Sequence, residues 1–222
     1  KFMKSLAIIT YNYFHLKTEQ ILNNLLIENI FEITLFALPF KHRKQRECLF
    51  FHRPDPVTGI QTKDFEFSNV KFIELKKSEQ LEDYDYCMIT GAGILDKTII
   101  GNKKILNIHP GIIPTTRGLD SFKWAIYNLN PLGISLHYID VTVDSGEVLR
   151  IFETPIYRSD TLQTLARRHY ENEIYVSSNF YKFLDKVEYS GLKEQKHNMR
   201  MPIEKEKLLE KKFIEYKKKF CK

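Results

Sequence analysis

The stretch Asn107-Ile108-His109-Pro110-Gly111 holds two residues of complementary chemistry. In an extended segment, side chains two apart share one side, so Asn107 and His109 would face the same space. An amide N–H can hydrogen-bond an oxyanion as it develops, and an imidazole can manage a proton, a set that suits an acyl-type reaction. Pro110 and Pro114 would stiffen the loop that follows, and Arg117 adds a fixed positive charge. Taken alone, N-x-H is a poor motif. A second piece, Val141-Thr142-Val143-Asp144-Ser145-Gly146, sets a carboxylate beside a glycine turn. Asp144 could stand at the same sheet edge as His109, raising the imidazole's basicity or receiving a proton. It could equally be an ordinary Asp-Ser-Gly turn. His137 alternates with Leu136 and Tyr138, the pattern of a half-buried packing histidine.

These residues need a scaffold, and the hydrophobic pattern supplies one. Lys4 to Tyr11 is a short apolar run that reads as a buried strand. Ile21, Leu25 and Leu26 recur at helical spacing within His15–Asn29, and Phe31–Phe40 reads as a second strand. That βαβ opening predicts an α/β fold with a mostly parallel sheet flanked by helices. Further strands are expected at Val70–Leu75, Tyr84–Thr90, Lys104–Ile108, Gly133–Asp140 and Glu147–Tyr157, the last antiparallel to the one before it. Helices are expected at Leu95–Ile100, at Asp120–Leu129, and from the caps Ser159, Asp160 and Thr161 through about Leu184. The loop His109–Gly118 then lies just past the C-terminal end of a strand, the edge where open α/β sheets bind ligands.

The chain has 222 residues, 43% hydrophobic and 28% charged, which is enough for a real core and rules out wholesale disorder. No apolar run approaches the roughly 18 residues of a membrane span, so no membrane insertion is expected. No secretory pattern opens it, and Cys48, Cys87 and Cys221 form neither a C-x-x-C pair nor a metal spacing. A reduced, cytoplasmic setting and no bound metal are the expectation. The net charge of +6 is local: residues 203–222 hold eight Lys and four Glu, and Lys41 to Arg46 holds four basic residues and no acidic one. The rest is slightly acidic, which argues against nucleic acid as a partner. Leu209, Phe213, Tyr216 and Phe220 form one apolar stripe among the tail's lysines, the mark of an amphipathic helix docked on the body of the protein. An oligomer contact is the main alternative for that stripe.

No Walker A loop, G-x-G-x-x-G, H-E-x-x-H or G-x-S-x-G occurs. Asn107-Ile108-His109-Pro110 with Pro114 and Arg117-Gly118, then Gly133-Ile-Ser-Leu-His137, then Val143-Asp144-Ser-Gly146 does form a recognisable set. It resembles the folate-dependent formyltransferases over roughly residues 85–157. The resemblance implies a Rossmann-like core over 1–187, a basic helical extension over 188–222, and N10-formyltetrahydrofolate as formyl donor. It implies a catalytic trio of Asn107, His109 and Asp144. The folate would lie along Gly91, Gly93, Ile94 and Leu95, and along Asp140, Val141 and Val143.

Within that superfamily the resemblance is greatest to the sugar-nucleotide N-formyltransferases, which make surface-polysaccharide and lipopolysaccharide precursors. Glycinamide ribonucleotide enzymes carry a glycine-rich phosphate loop after the first strand, where this chain reads Thr10-Tyr11-Asn12-Tyr13-Phe14-His15 without a glycine. Methionyl-tRNA enzymes add a sizeable C-terminal domain that the residues after Tyr157 cannot supply. The implied partner is a nucleotide-linked amino sugar, with a homodimer as the assembly. Arg43 and Arg46 are candidates for its pyrophosphate, since Arg forks match phosphate oxygens, with Arg117 and Trp124 also on the substrate side. Phosphoribosylglycinamide formyl transfer is the alternative enzyme. A catalytically silent folate- or nucleotide-binding module is the alternative outside catalysis.

Overall fold

A computed structural model describes residues 3–40, 47–54, 57–61, 70–93, 95–139, 146–185, 187–188 and 197–221. These fall into two compact units, each treated by itself. The first takes in the described residues up to Phe40, those from 57 to 107, and 138–139. The second takes in 47–54, 108–137 and those from 146 onward.

The first unit opens with β1 (Lys4–Tyr11), β2 (Tyr13–His15), α1 (Leu16–Glu28) and β3 (Phe31–Leu38). It continues with β4 (Val57–Gln61), β5 (Lys71–Glu74), β6 (Tyr86–Ile89), α2 (Lys97–Ile100) and most of β7 (Ile105–His109). Parallel pairing joins β5 to β3, β3 to β1, β1 to β6 and β6 to β7. Five consecutive residues of β1, Leu6 to Thr10, are buried, because strands inside a parallel sheet are covered on both faces. β3 stops at Leu38 rather than Phe40 because Pro39 has no N–H to continue a ladder. α2 is shorter than expected and begins where Asp96 accepts hydrogen bonds from the Thr98 and Ile99 N–H groups at 2.9 and 3.2 Å. The antiparallel pairing of β2 with β4 had no signature in the sequence.

The second unit holds α3 (Ser121–Tyr127), β8 (Gly133–Tyr138), β9 (Val148–Glu153), α4 (Leu162–Ser178), α5 (Ile203–Glu206) and α6 (Leu209–Phe220). β8 and β9 pair antiparallel, as expected, although β9 ends four residues early, just before the Thr154-Pro155 step. α4 ends at Ser178 instead of Leu184 and gives way to a single 3₁₀ turn at 180–182. The tail docks: Leu209, Phe213 and Tyr216 are buried in one cluster with Phe122, Trp124 and Ile126 of α3 and Leu162 and Leu165 of α4. The Tyr216 hydroxyl donates to the Asn130 carbonyl at 2.8 Å, so even the polar atom of the stripe is satisfied. The protein is thus α/β, with a mixed, mostly parallel seven-stranded sheet and helices.

Candidate active site

β7 carries Asn107 and His109 at alternate positions and hence on one side of the strand. The apolar residues Ile105, Leu106 and Ile108 hold it in place; Asn107 is half-buried and His109 buried. The strand runs one residue further than its apolar run, so His109 closes it rather than opening the loop.

That loop folds back on the histidine. His109 Nε2 lies 2.9 Å from the Thr116 carbonyl oxygen, and a carbonyl only accepts, so the ring proton is on Nε2. The Ser121 hydroxyl of α3 stands at the same nitrogen, 3.5 Å away. Gly111 is required by the fold-back: a Cβ there would lie 2.4 Å from the Thr116 carbonyl oxygen and 2.8 Å from His109 Nε2. Ser135 of β8 clamps the loop from beneath, its hydroxyl donating to the Gly111 carbonyl at 2.8 Å and accepting the Ile113 N–H at 3.0 Å. His137, two residues on and therefore on the same face of β8, is fully buried rather than half-buried. Its ring meets that of His109 edge-on at 6.5 Å.

A second layer holds this one. His169 of α4 reaches the Pro110 carbonyl through Nε2 at 3.2 Å and the Thr154 hydroxyl through Nδ1 at 2.8 Å. Burial pushes its imidazole down to about 4. Phe122 touches the His169 ring and stacks on His52, whose imidazole burial also drives well below its ordinary range. Arg53 forms an ion pair with the buried Glu173 and lies over the Tyr170 ring. Lys123 Nζ and Glu206 Oε1 form a fully buried pair at 2.5 Å, and Glu206 Oε2 accepts the Leu49 N–H at 2.7 Å. None of this layer stood out in the sequence. A signal was present: His169 and Glu173 lie on the apolar stripe of α4 with Leu162, Leu165, Ala166 and Val176, where burial requires a polar partner.

The other expected residues divide. Asp144, Asp140, Val141, Val143, Ile94, Arg43 and Arg46 lie outside the described residues. Gly91 follows β6 and is needed for contact rather than for a turn, since a Cβ there would lie 2.8 Å from the His15 ring. Gly93 leaves more room, with the Tyr11 hydroxyl 3.8 Å from such a Cβ, whereas Leu95 is taken up in the first unit's core. Trp124, expected on the substrate side, is held by contacts within the second unit. Its indole N–H donates to the Met199 carbonyl at 2.7 Å and its ring belongs to the α3–α6 core beneath Lys205. Arg117 is also not displayed to solvent: it is 1% exposed, and Nη2 donates to His197 Nε2 at 3.4 Å. No cluster of His, Cys, Asp or Glu suited to a metal exists among the described residues. No helix among them is long and apolar enough to cross a membrane.

The family model for formyl transferase matches residues 51–179, more than half of the 222. The chain belongs to the formyl transferase family. It is 30% identical over 126 residues to the phosphoribosylglycinamide formyltransferase of Bacillus subtilis, covering 53% of this chain and 63% of that protein. It is 32% identical over 117 residues to the trifunctional purine biosynthetic protein adenosine-3 of Chironomus tentans, covering 51% of this chain and 8% of that one. This formyl transferase family member thus spans less than two thirds of those curated relatives. Its fold matches a sugar N-formyltransferase from Shewanella sp at a TM-score of 0.55 and 19% identity, over 89% of this chain and 76% of that one. It also matches the formyltransferase PseJ from Anoxybacillus kamchatkensis, solved with UDP-4,6-dideoxy-4-formamido-L-AltNAc and tetrahydrofolate. That match has a TM-score of 0.56 and 18% identity, over 92% and 89% of the two chains.

Proposed function

We propose that this chain transfers the formyl group of N10-formyltetrahydrofolate to the amine of a nucleotide-linked amino sugar. The work is cytoplasmic and carried out by a homodimer, and it supplies a precursor of a surface polysaccharide such as lipopolysaccharide. Residues 1–187 are the catalytic domain and 188–222 its basic helical extension. The observation that carries the reaction type is the end of β7, where Asn107 and His109 share one side and the following loop is pinned to the His109 ring.

The chemistry follows from those groups. The amine must be neutral to attack the formyl carbon. As the new C–N bond forms, charge builds on the formyl oxygen. The Asn107 amide and the His109 ring hold that oxyanion, His109 from its Nδ1 side because Nε2 donates to Thr116. Asp144 takes the proton the amine loses. Asp144 passes that proton on to N10 as the intermediate collapses, so the C–N10 bond breaks and neutral tetrahydrofolate leaves. The folate lies along Gly91 to Leu95 and Asp140 to Val143.

The segment after β1 supports the acceptor class. In place of a glycine-rich phosphate nest, Tyr11 packs edge-on against Phe40 at 5.0 Å, and Tyr13 meets the same ring at 5.4 Å. Asn12 is engaged in accepting the Phe40 N–H at 2.7 Å. Backbone N–H groups that would cradle a ribonucleotide phosphate have no such place there. Arg43 and Arg46 are assigned to the pyrophosphate. Glycinamide ribonucleotide is the second reading, favoured by the names of the sequence relatives. The test is a formyl-transfer assay over nucleotide-linked amino sugars with glycinamide ribonucleotide included. Turnover of the sugars upholds the reading, turnover of the ribonucleotide alone replaces the acceptor, and folate binding without turnover reduces the chain to a binding module. Replacing Arg43 and Arg46 with Ala should raise KM for the sugar nucleotide roughly ten- to a hundredfold at constant kcat, because charge-assisted ground-state contacts are lost.

A further inference from the structure

We propose that His169 is a positioning residue for formyl transfer, holding the Pro110 carbonyl from α4 so that the loop after His109 keeps the catalytic ring in place. The proposal rests on the reading of His109 as catalytic.

The His109–Pro110 peptide has no N–H, so the one main-chain polar group by which Pro110 can be tethered is its carbonyl. It meets His169 Nε2 at 3.2 Å. The neighbouring anchors are the Ser135 hydroxyl on the Gly111 carbonyl and the Thr116 carbonyl on His109 itself. His169 therefore holds the residue directly after the catalytic one. Its hydrogen-bond sense is defined. The Pro110 carbonyl only accepts, so Nε2 carries the proton and Nδ1 accepts from the Thr154 hydroxyl at 2.8 Å. Asn172 Nδ2 donates to the same hydroxyl oxygen at 3.4 Å, which leaves the hydroxyl proton for His169. The ring rests against Phe122 at 5.6 Å; burial keeps it neutral, and its two hydrogen-bond partners select one tautomer. The charged or titratable groups around it are Glu173 on its own helix, Arg53 and His52 on the 47–54 segment, and His109 on β7.

Two variants separate positioning from packing. Glutamine places an amide nitrogen where Nε2 was, and asparagine reaches only as far as Nδ1. His169→Asn should lower kcat roughly ten- to a hundredfold with KM for both substrates unchanged, the cost of a slightly misplaced catalytic group. His169→Gln should keep most of the wild-type kcat. Equal losses in both variants, or an unchanged kcat in His169→Asn, would overturn the proposal. His109→Asn run in parallel separates the two readings. If it leaves turnover intact, the catalytic assignment falls and the proposal with it; if it abolishes turnover while His169→Asn does not, only the positioning role falls. Nitrogen-15 spectra of the imidazoles need no acceptor and no variant that must fold. Wild-type His169 should show the Nε2–H tautomer, and an Nδ1–H tautomer would sink the idea. In His169→Asn, but not in His169→Gln, the His109 signals should move.

Discussion

At the scale of single residues the site is an argument about His109 and what fixes it. Its ring proton is committed to the Thr116 carbonyl, so ring and loop orient each other. His109→Asn should lower kcat by about 10²–10⁴, the usual worth of a placed acid–base group, with little change in KM; steady-state kinetics decide it. Gly111 is as constrained as the histidine. Gly111→Ala drives a Cβ into the Thr116 carbonyl, a backbone atom that cannot swing aside, and forces the loop open. The expected cost is about 1–3 kcal/mol by urea unfolding, together with a fall in kcat as His109 loses its anchor. An alanine variant of wild-type stability would mean that the loop yields without strain.

At the scale of elements, the site depends on side chains carried by three other elements. α3 supplies Ser121 to the His109 nitrogen, α4 supplies His169 to Pro110, and β8 supplies Ser135 to the loop. The segment 47–54 is tied to α3 and α5 through a buried pair: Glu206 accepts from Lys123 and from the Leu49 N–H. Breaking one side strands the other charge without water. Glu206→Gln should therefore destabilise by about 3–5 kcal/mol, whereas Lys123→Met with Glu206→Leu should recover most of the loss, because no buried charge is left unpaired. Equilibrium unfolding of the single and double variants measures this. A single variant within about 0.5 kcal/mol of wild type would place the pair among surface ion pairs instead.

At the scale of the whole molecule, buried neutral imidazoles make stability depend on pH. His169 has its folded value pushed down to about 4, chiefly by burial, and His52 moves in the same direction. An unfolded chain binds a proton at His169 from about pH 6.5 downward, whereas the folded chain does not until about pH 4. Its contribution is complete above pH 6.5 and is lost as pH falls through that window, and His52 adds to the loss in the same direction. His169 alone accounts for roughly 3 kcal/mol by pH 4. Glu173 offsets part of this by favouring the imidazolium. Unfolding free energies measured from pH 7.5 to 4 should fall, and His169→Gln should flatten the slope. A slope unaltered by the substitution would assign the acid sensitivity elsewhere.

Local pattern was sufficient for much of this protein. The buried apolar runs of β1, β3 and β7 identified themselves as parallel strands, since only strands covered on both faces read as continuous hydrophobic stretches. The stripe Leu209, Phe213, Tyr216 identified a docked tail helix, and a three-part motif identified the family. Asn107 and His109 were legible because their partnership needs only the two-residue period of a strand. What the pattern could not reach was every contact whose two halves lie far apart in the chain. Ser135 with Gly111, His169 with Pro110 and Lys123 with Glu206 join residues 24, 59 and 83 positions apart. The partners of Trp124 and Arg117 were out of reach for the same reason. A large amphipathic side chain in a loop or on a short helix is equally suited to a ligand or to a neighbouring element. Only the tertiary structure shows that Met199 takes the indole N–H and that His197 takes the guanidinium. Composition and periodicity determine which faces must be buried; the fold determines which polar groups meet once they are.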